Sequence, residues 1–208
     1  MRWPQSDRYD AMKAGSYLLF IVTVGCVDLE QRVPMVVESW CDTAKNVDVG
    51  CIIDGDTVDL AACGEDGERI RMLGVDAPEI AHEPDPADCY GDESHAWLEE
   101  MLSGMTVWLD FDTECSDMYG RTLGWLTIEG DADDALAETL EEVPDLDVFE
   151  EDGSYRVLVN ELEIRLGYAS VYDESFAQDV RYYERLLDAE AAAIEEGLGL
   201  WSACEDDR

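Results

Sequence analysis

Two runs between Cys51 and Glu79 have the residue types and spacing for chemistry on a phosphate: Ile53-Asp54-Gly55-Asp56-Thr57-Val58 and Arg71-Met72-Leu73-Gly74-Val75-Asp76-Ala77-Pro78-Glu79. Hard divalent cations take oxygen ligands and keep several waters, so Asp56 and Asp76 with one or two backbone carbonyls suffice for Ca²⁺ or Mg²⁺. Glu79 can then act on a water beside the cation, and Arg71 carries the planar fork of donors that matches a phosphate. Singly these residues are ordinary, since an Asp-Gly-Asp is most often a solvated turn. Their combination is much rarer.

The elements that must hold them follow from periodicity. Val47 to Ile53, Thr57 to Cys63 and Arg69 to Val75 read as strands, with Gly64-Glu65-Asp66-Gly67 as the hairpin turn between the last two. Met105 to Phe111 alternates cleanly and Thr122 to Ile128 supplies a fifth strand. Asp92 to Ser103 is a helix that turns Trp97, Leu98, Met101 and Leu102 inward and stops at Gly104. Asn160 is placed as the N-cap of a second helix that reaches about Leu166 and ends at Gly167. A third carries Phe176, Val180, Tyr183, Leu187, Ala191 and Ile194 as one apolar stripe, which is packing rather than catalysis. Five short strands interrupted by a helix fit a small barrel of the OB type, although periodicity does not separate it from other small barrels.

With those motifs in hand, the chain resembles the staphylococcal-type thermonucleases. Ile53 to Val58 is similar to the family's first metal-ligand motif, Arg71 to Glu79 to its second and Tyr119-Gly120-Arg121 to its third. The flanking Cys89-Tyr90-Gly91-Asp92-Glu93-Ser94, Val159-Asn160-Glu161 and Leu200-Trp201-Ser202 continue the resemblance in the same order, across roughly residues 44 to 204. It implies an α+β fold, a five-stranded OB-fold β-barrel with three helices, and a Ca²⁺-dependent nuclease, with Mg²⁺ as the alternative cation. By the same resemblance Asp56, Asp76 and the carbonyl of Ala77 are the metal ligands, Glu79 is the general base, and Arg71 and Arg121 clamp the phosphate. Tyr119 matches a residue beside the nucleotide, and Tyr172 is a candidate stacking ring. The position before Tyr119, often basic in the family, is Met118 here, which weakens the expected grip on a DNA or RNA substrate. Residues 130–153 replace what the family makes as a short turn. Leu136, Leu140 and Val143 fall at helical spacing there, so a short surface helix is expected, read as decoration.

Outside this domain the chain reads differently. Residues 14–27 carry no charge and follow Arg2, Arg8 and Lys13; they are too short for an ordinary membrane span and suit a signal peptide. Val22-Thr23-Val24-Gly25-Cys26 resembles a lipoprotein box, which makes residues 1–26 an export segment, Cys26 a lipidation site and residues 27–43 a linker. The alternatives are a short buried strand or a mispredicted start codon. Of seven cysteines, six remain beyond Cys26, enough for up to three disulfides in any of 15 pairings outside the cell. No Cys-x-x-Cys occurs, so structural zinc is not expected.

Charge is the dominant bulk property: 51 acidic against 13 basic residues give a net charge of −38. Regular apolar patterning and 47% hydrophobic residues argue for a folded domain rather than a disordered acidic chain. At about 1 M salt the Debye length is roughly 3 Å, so repulsion within the chain and from nucleic acid is screened. A salt-requiring, monomeric, exported nuclease of low sequence specificity is the first reading. A non-catalytic OB-type module on the cell surface that binds nucleic acid or protein is the second, and an acidic surface protein using cations only for stability is the third.

Overall fold

Consecutive strands that lie at opposite ends of one sheet force that sheet to curl. β1 (Lys45–Asp48) and β2 (Cys51–Ile52) are joined only by Val49 and Gly50, yet the sheet runs β1-β6-β7-β4-β3-β2. The intervening strands are β3 (Thr57–Asp59), β4 (Arg69–Met72), β6 (Thr106–Asp110) and β7 (Thr122–Asp131). A Cβ at Gly50 would lie 2.4 Å from the Ala61 carbonyl oxygen, so a residue without a side chain is required where the strand turns the corner. Long β7 is antiparallel to β6 and parallel to β4, and thereby bridges the two halves of the barrel. The short β5 (Val75–Asp76) pairs with β10 (Ser170–Val171).

In this computed structural model of the chain, residues 41–131, 135–146, 148–151, 154–172 and 180–204 are described. Residues 1–26, expected as an export segment with Cys26, residues 27–40 of the expected linker, and Phe176 lie outside them. Among the described residues no helix is long and apolar enough to cross a membrane.

The α+β class and the OB-type barrel are as expected, but the elements are shorter and more numerous. The strand expected over 47–53 is broken at Val49–Gly50, the one over 57–63 ends at Asp59, and the one over 69–75 breaks at Leu73–Gly74. Gly74 adopts φ +71°, a left-handed conformation that redirects the chain from β4 into β5. Five helices are described rather than three: α1 (Gly91–Leu102), α2 (Ala135–Glu142), α3 (Val159–Arg165), α4 (Tyr183–Glu196) and α5 (Leu200–Ala203). Helix α4 begins after Val180, which packs against the core from the preceding turn.

The acidic segment is more than decoration. It forms α2 and a hairpin of β8 (Phe149–Glu151) with β9 (Ser154–Leu158), and β9 extends the sheet along β7. Leu136, Val143 and Leu146 are buried in the common core. Asp145 reaches Arg165, which also holds Glu196. Its apolar residues therefore contribute burial where sequence spacing alone suggested a solvated face.

Three disulfides use all six cysteines beyond Cys26. Cys51–Cys63 joins β2 to the segment after β3, Cys89–Cys204 ties the entry to α1 to the end of α5, and Cys41–Cys115 fixes the chain ahead of β1.

Asn160 is not a helix cap: Leu158 is the residue preceding α3, and Asn160 lies within the helix, fully buried. Its Oδ1 accepts from the Leu126 N–H at 3.0 Å and its Nδ2 donates to the Leu73 carbonyl at 2.9 Å, tying β7 to the corner between β4 and β5. Replacement by alanine strands both backbone groups away from water, at about 1–3 kcal/mol each. Asn160→Ala is therefore expected to lower the unfolding free energy by about 3 kcal/mol in urea titration.

Candidate functional site

The site is built where the turn between β2 and β3 meets the start of α1. The Ile53 N–H donates to the Thr57 carbonyl across the turn, and the Asp56 N–H donates to Asp54 Oδ1 at 3.1 Å. A Cβ at Gly55 would fall 2.3 Å from Ser94 Oγ and 2.5 Å from the Ala77 Cβ. Glycine thus lets the turn settle against both α1 and the residue after Asp76. That approach brings the Ala77 N–H to within 3.2 Å of Asp56 Oδ2.

Strand pairing does the rest. Thr57 lies opposite Arg71 in the β3–β4 ladder, and the Arg71 guanidinium forms a close ion pair with Asp56 and approaches Asp76 Oδ1 at 3.7 Å. Arg71 is 13% exposed, whereas Asp76 is 54% exposed. Thr57 Oγ1 donates to Asp56 Oδ1 at 2.9 Å and accepts from Arg121 Nη1 at 3.5 Å, so one hydroxyl links the second arginine to the first aspartate. Asp117 orients Arg121, accepting from its Nε at 2.6 Å. Aromatic rings flank both guanidinium groups: Tyr172 at 5.8 Å from Arg71 and Tyr119 at 5.6 Å from Arg121.

Glu79 enters from a separate segment. The Asp88 N–H donates to its carbonyl at 2.9 Å, and a Cβ at Gly91 would lie 2.2 Å from that same oxygen, so the loop is seated directly on the start of α1. Its side chain is 62% exposed and 3.8 Å from His82 Nε2. Glu79, Tyr119 and Arg121, with Glu68 and Arg69, line one open cleft of about 610 Å³. Every candidate residue read from the sequence except Cys26 therefore falls in one region. Asp56, Asp76, Ala77 and Arg71 form its inner part, and Glu79 and Arg121 lie on the cleft.

Burial dominates the electrostatics. It raises the pKa of Asp76 against the pull of Arg71, and raises that of Asp54 against a hydrogen bond from Thr57 and the charges of Arg71 and Arg121. Burial, then repulsion from Arg121, lowers the pKa of Arg71, while Asp54, Asp76 and Glu163 hold it up. Among the described residues no three His, Cys, Asp or Glu side chains are grouped to hold a metal ion. The donor chemistry still fits a hard cation: carboxylate oxygens on Asp56 and Asp76 with adjacent backbone carbonyls. A cation there would compete with Arg71 for the same oxygens.

Sequence reasoning missed Asp54, Thr57 and Glu163. Asp54 lies inside the recognised run but carries no distinguishing spacing. Glu163 leaves a clearer trace, an acid flanked by Leu162 and Ile164 on a helix whose residues are all buried.

The model of the staphylococcal nuclease homologue family matches residues 69–203. Arg71, Asp76, Ala77, Glu79, Tyr119, Arg121 and Tyr172 fall inside that match, and Asp56 precedes it. Over 75 residues the chain is 39% identical to a thermonuclease of Staphylococcus intermedius, covering 36% of this chain and 44% of that protein. It is 27% identical over 217 residues to an uncharacterized protein of Methanocaldococcus jannaschii, covering 90% of this chain and 92% of that one. It is 29% identical over 157 residues to an endonuclease of Bacillus subtilis, covering 73% of this chain and 11% of that one. The matches span less than half the length of the thermonucleases.

Glu163 generates a pH test. It is fully buried, and burial pushes its pKa well above the ordinary 4.5. Between 4.5 and that raised value the folded chain keeps a proton that the unfolded chain has released, so this group's contribution to stability falls as pH rises. Glutamine at this position removes the dependence. The Tm advantage of Glu163→Gln over wild type is expected to be smallest near pH 4.5 and to widen with rising pH, as read by thermal melts across the pH range.

Proposed function

The chain belongs to the family of staphylococcal nuclease homologues, and on that premise we propose that it is a metal-dependent nuclease that hydrolyses phosphodiester bonds of DNA, and of RNA, with little sequence specificity. The observation that carries this reading is the convergence of Glu79 and Arg121 on one cleft beside the cluster of buried Arg71 and Asp56 with exposed Asp76. A binding module needs basic and aromatic residues but has no use for a carboxylate that shares its cleft with a fixed guanidinium.

Asp56, Asp76 and the Ala77 carbonyl would hold Ca²⁺, with Mg²⁺ as the alternative. When bound, such a cation polarises a phosphate oxygen and makes water a better nucleophile. The remaining work falls to the chain's own side chains. Glu79 orients the attacking water and accepts its proton as the new O–P bond forms and the bond to the leaving oxygen breaks. Arg71 and Arg121 bind the non-bridging oxygens and stabilise the charge that accumulates there. Asp117 and Thr57 fix Arg121, so that this donor is aimed before substrate arrives. Tyr119 and Tyr172 offer faces on which bases of any identity stack, which agrees with low specificity.

Export, tethering through Cys26 and dependence on high salt belong to the same proposal. Support for export comes from the uncharged segment ahead of Cys26 and from pairing of all six remaining cysteines, which needs an oxidising compartment. Support for the salt requirement comes from the net charge of −38, which opposes approach of a polyanion unless screened.

Single-stranded DNA in about 2–4 M salt, where the Debye length is below about 3 Å, is the substrate for the test. Cleavage with Ca²⁺ or Mg²⁺ that stops on chelation is expected. Glu79→Gln and Arg121→Ala should each lower kcat by about 10²–10³-fold at unchanged Tm. Intact DNA in the presence of folded wild-type protein and cation would instead assign the chain to the non-catalytic binding modules.

A further inference from the structure

Arg69 lines the same cleft as Glu79, Tyr119 and Arg121, and the chemistry proposed above gives it no task. It stands on β4 two residues ahead of Arg71. Ile70 and Met72 are buried in the core, so Arg69 and Arg71 share the opposite face of the strand. There they lie across from Asp59 and Thr57 in the β3–β4 ladder. Side chains two apart on a strand are spaced by about 7 Å, roughly one nucleotide of an extended single strand.

The two arginines that line the cleft are anchored in the same way. Arg121 Nε donates to Asp117 Oδ2, and Asp117 Oδ1 is fixed by the N–H groups of Tyr119 and Arg121, each at 2.9 Å. Arg69 Nε lies 3.5 Å from Asp59 Oδ2, and Asp59 Oδ1 accepts the Ala61 N–H at 2.9 Å. Asp59 is buried, and a Cβ at Gly67 would collide with its Oδ1, so the cleft wall at Gly67 closes down on this carboxylate. In both cases an acid held by the backbone meets the guanidinium at Nε, away from the Nη end of the fork that grips a phosphate. Arg69 stays 56% exposed despite its pair, and an ion pair so exposed adds little to stability.

The rest of the lining is poor in positive charge. Met118, 88% exposed, adds none beside Tyr119, and Glu68 is an acid whose Oε1 accepts from the Thr122 hydroxyl at 2.9 Å. With Arg71 and Arg121 taken up by the scissile phosphate, a further phosphate in the cleft falls to Arg69. We propose that Arg69, oriented by Asp59, is the subsite for the phosphate next to the one being cleaved. The proposal rests on the nuclease reading and adds a substrate preference to it: a strand that carries a phosphate beyond the scissile linkage is taken over one that does not. Arg69 binds substrate without touching the reacting atoms.

The test uses three thymidine dinucleotides: one with the internal phosphate alone, one with an added 5′ phosphate and one with an added 3′ phosphate. For each, kcat/KM is measured with Ca²⁺ in about 2 M KCl, and Kd by NMR titration with chelator in place of Ca²⁺. Wild type is compared with Arg69→Ala and with Arg156→Ala, which removes an equally exposed arginine paired with Glu129 outside the cleft lining. In wild type one of the end phosphates should raise kcat/KM and tighten binding by about fivefold, the worth of one partly exposed ion pair. Arg69→Ala should lose that gain and Arg156→Ala should keep it. The gain is a ratio between substrates, so a general disturbance of the cleft that slows all three alike leaves it unmoved. A wild type that gains nothing from either end phosphate in rate or binding, an Arg69→Ala that keeps the gain, or an equal loss in Arg156→Ala would each overturn the proposal. Single-stranded DNA left intact by wild type removes the nuclease reading by itself, and the binding ratios in chelator then decide for or against Arg69 alone.

Discussion

One guanidinium in a nearly closed pocket sets the terms for the rest of the site. Arg71 is largely removed from water, and an arginine so placed needs anions around it. Asp56 and Asp76 supply direct contact, and Asp54 and Glu163 supply field. They come from three elements: Asp54 and Asp56 from the turn after β2, Asp76 from strand β5 and Glu163 from helix α3. The barrel corner at Gly50, the left-handed Gly74 and the close seat of Gly55 against α1 all serve to bring those elements within reach of one side chain. Under the proposed function, that excess negative charge around Arg71 would suit a cation, and the arginines a phosphate.

The sequence carried the outline of this arrangement well. Asp56, Arg71, Asp76, Glu79 and Arg121 stand in short runs with Gly and Pro at the turns, and alternation placed those runs on or beside strands. What it hid depends on contacts distant along the chain. Strand breaks at Val49–Gly50 and Leu73–Gly74 interrupt apolar alternation that looks continuous, because a barrel corner leaves the pattern of buried residues intact. Asn160 has the composition of a helix cap, and only the approach of Leu126 and Leu73 gives its amide another task. Glu163 looked like one acid among 51 until the packing of α3 left it no surface. The segment at 130–153 reads as solvated because its acids outnumber its apolar residues, yet three of those residues reach the core.

Stability in a chain of net charge −38 has to be gathered from sources that charge repulsion leaves alone. Apolar burial around Trp125, Leu126 and Leu162 is one, and the three disulfides are another. Arginines supply a third by pairing with clustered acids. Arg165 spans Asp145 and Glu196, Arg181 meets Asp110, and Arg185 meets Glu161. These pairs tie the acidic segment and α4 to the barrel. They also use much of the chain's small stock of cations for structure, while Arg69 and Arg121 line the cleft and Arg71 lies in the inner cluster.

The most direct measurement is the Tm of wild type and of Asp56→Asn against Ca²⁺ concentration in about 3 M KCl, where bulk screening is already saturated. A cation seated on Asp56 stabilises the folded chain by about 1.4 kcal/mol for each tenfold rise in Ca²⁺ above its Kd, so the wild-type Tm should climb steadily with log concentration while that of Asp56→Asn stays flat. An equal climb in both proteins would place the cation elsewhere, and a flat wild-type curve would contradict a Ca²⁺ seat in the Asp56–Arg71–Asp76 cluster.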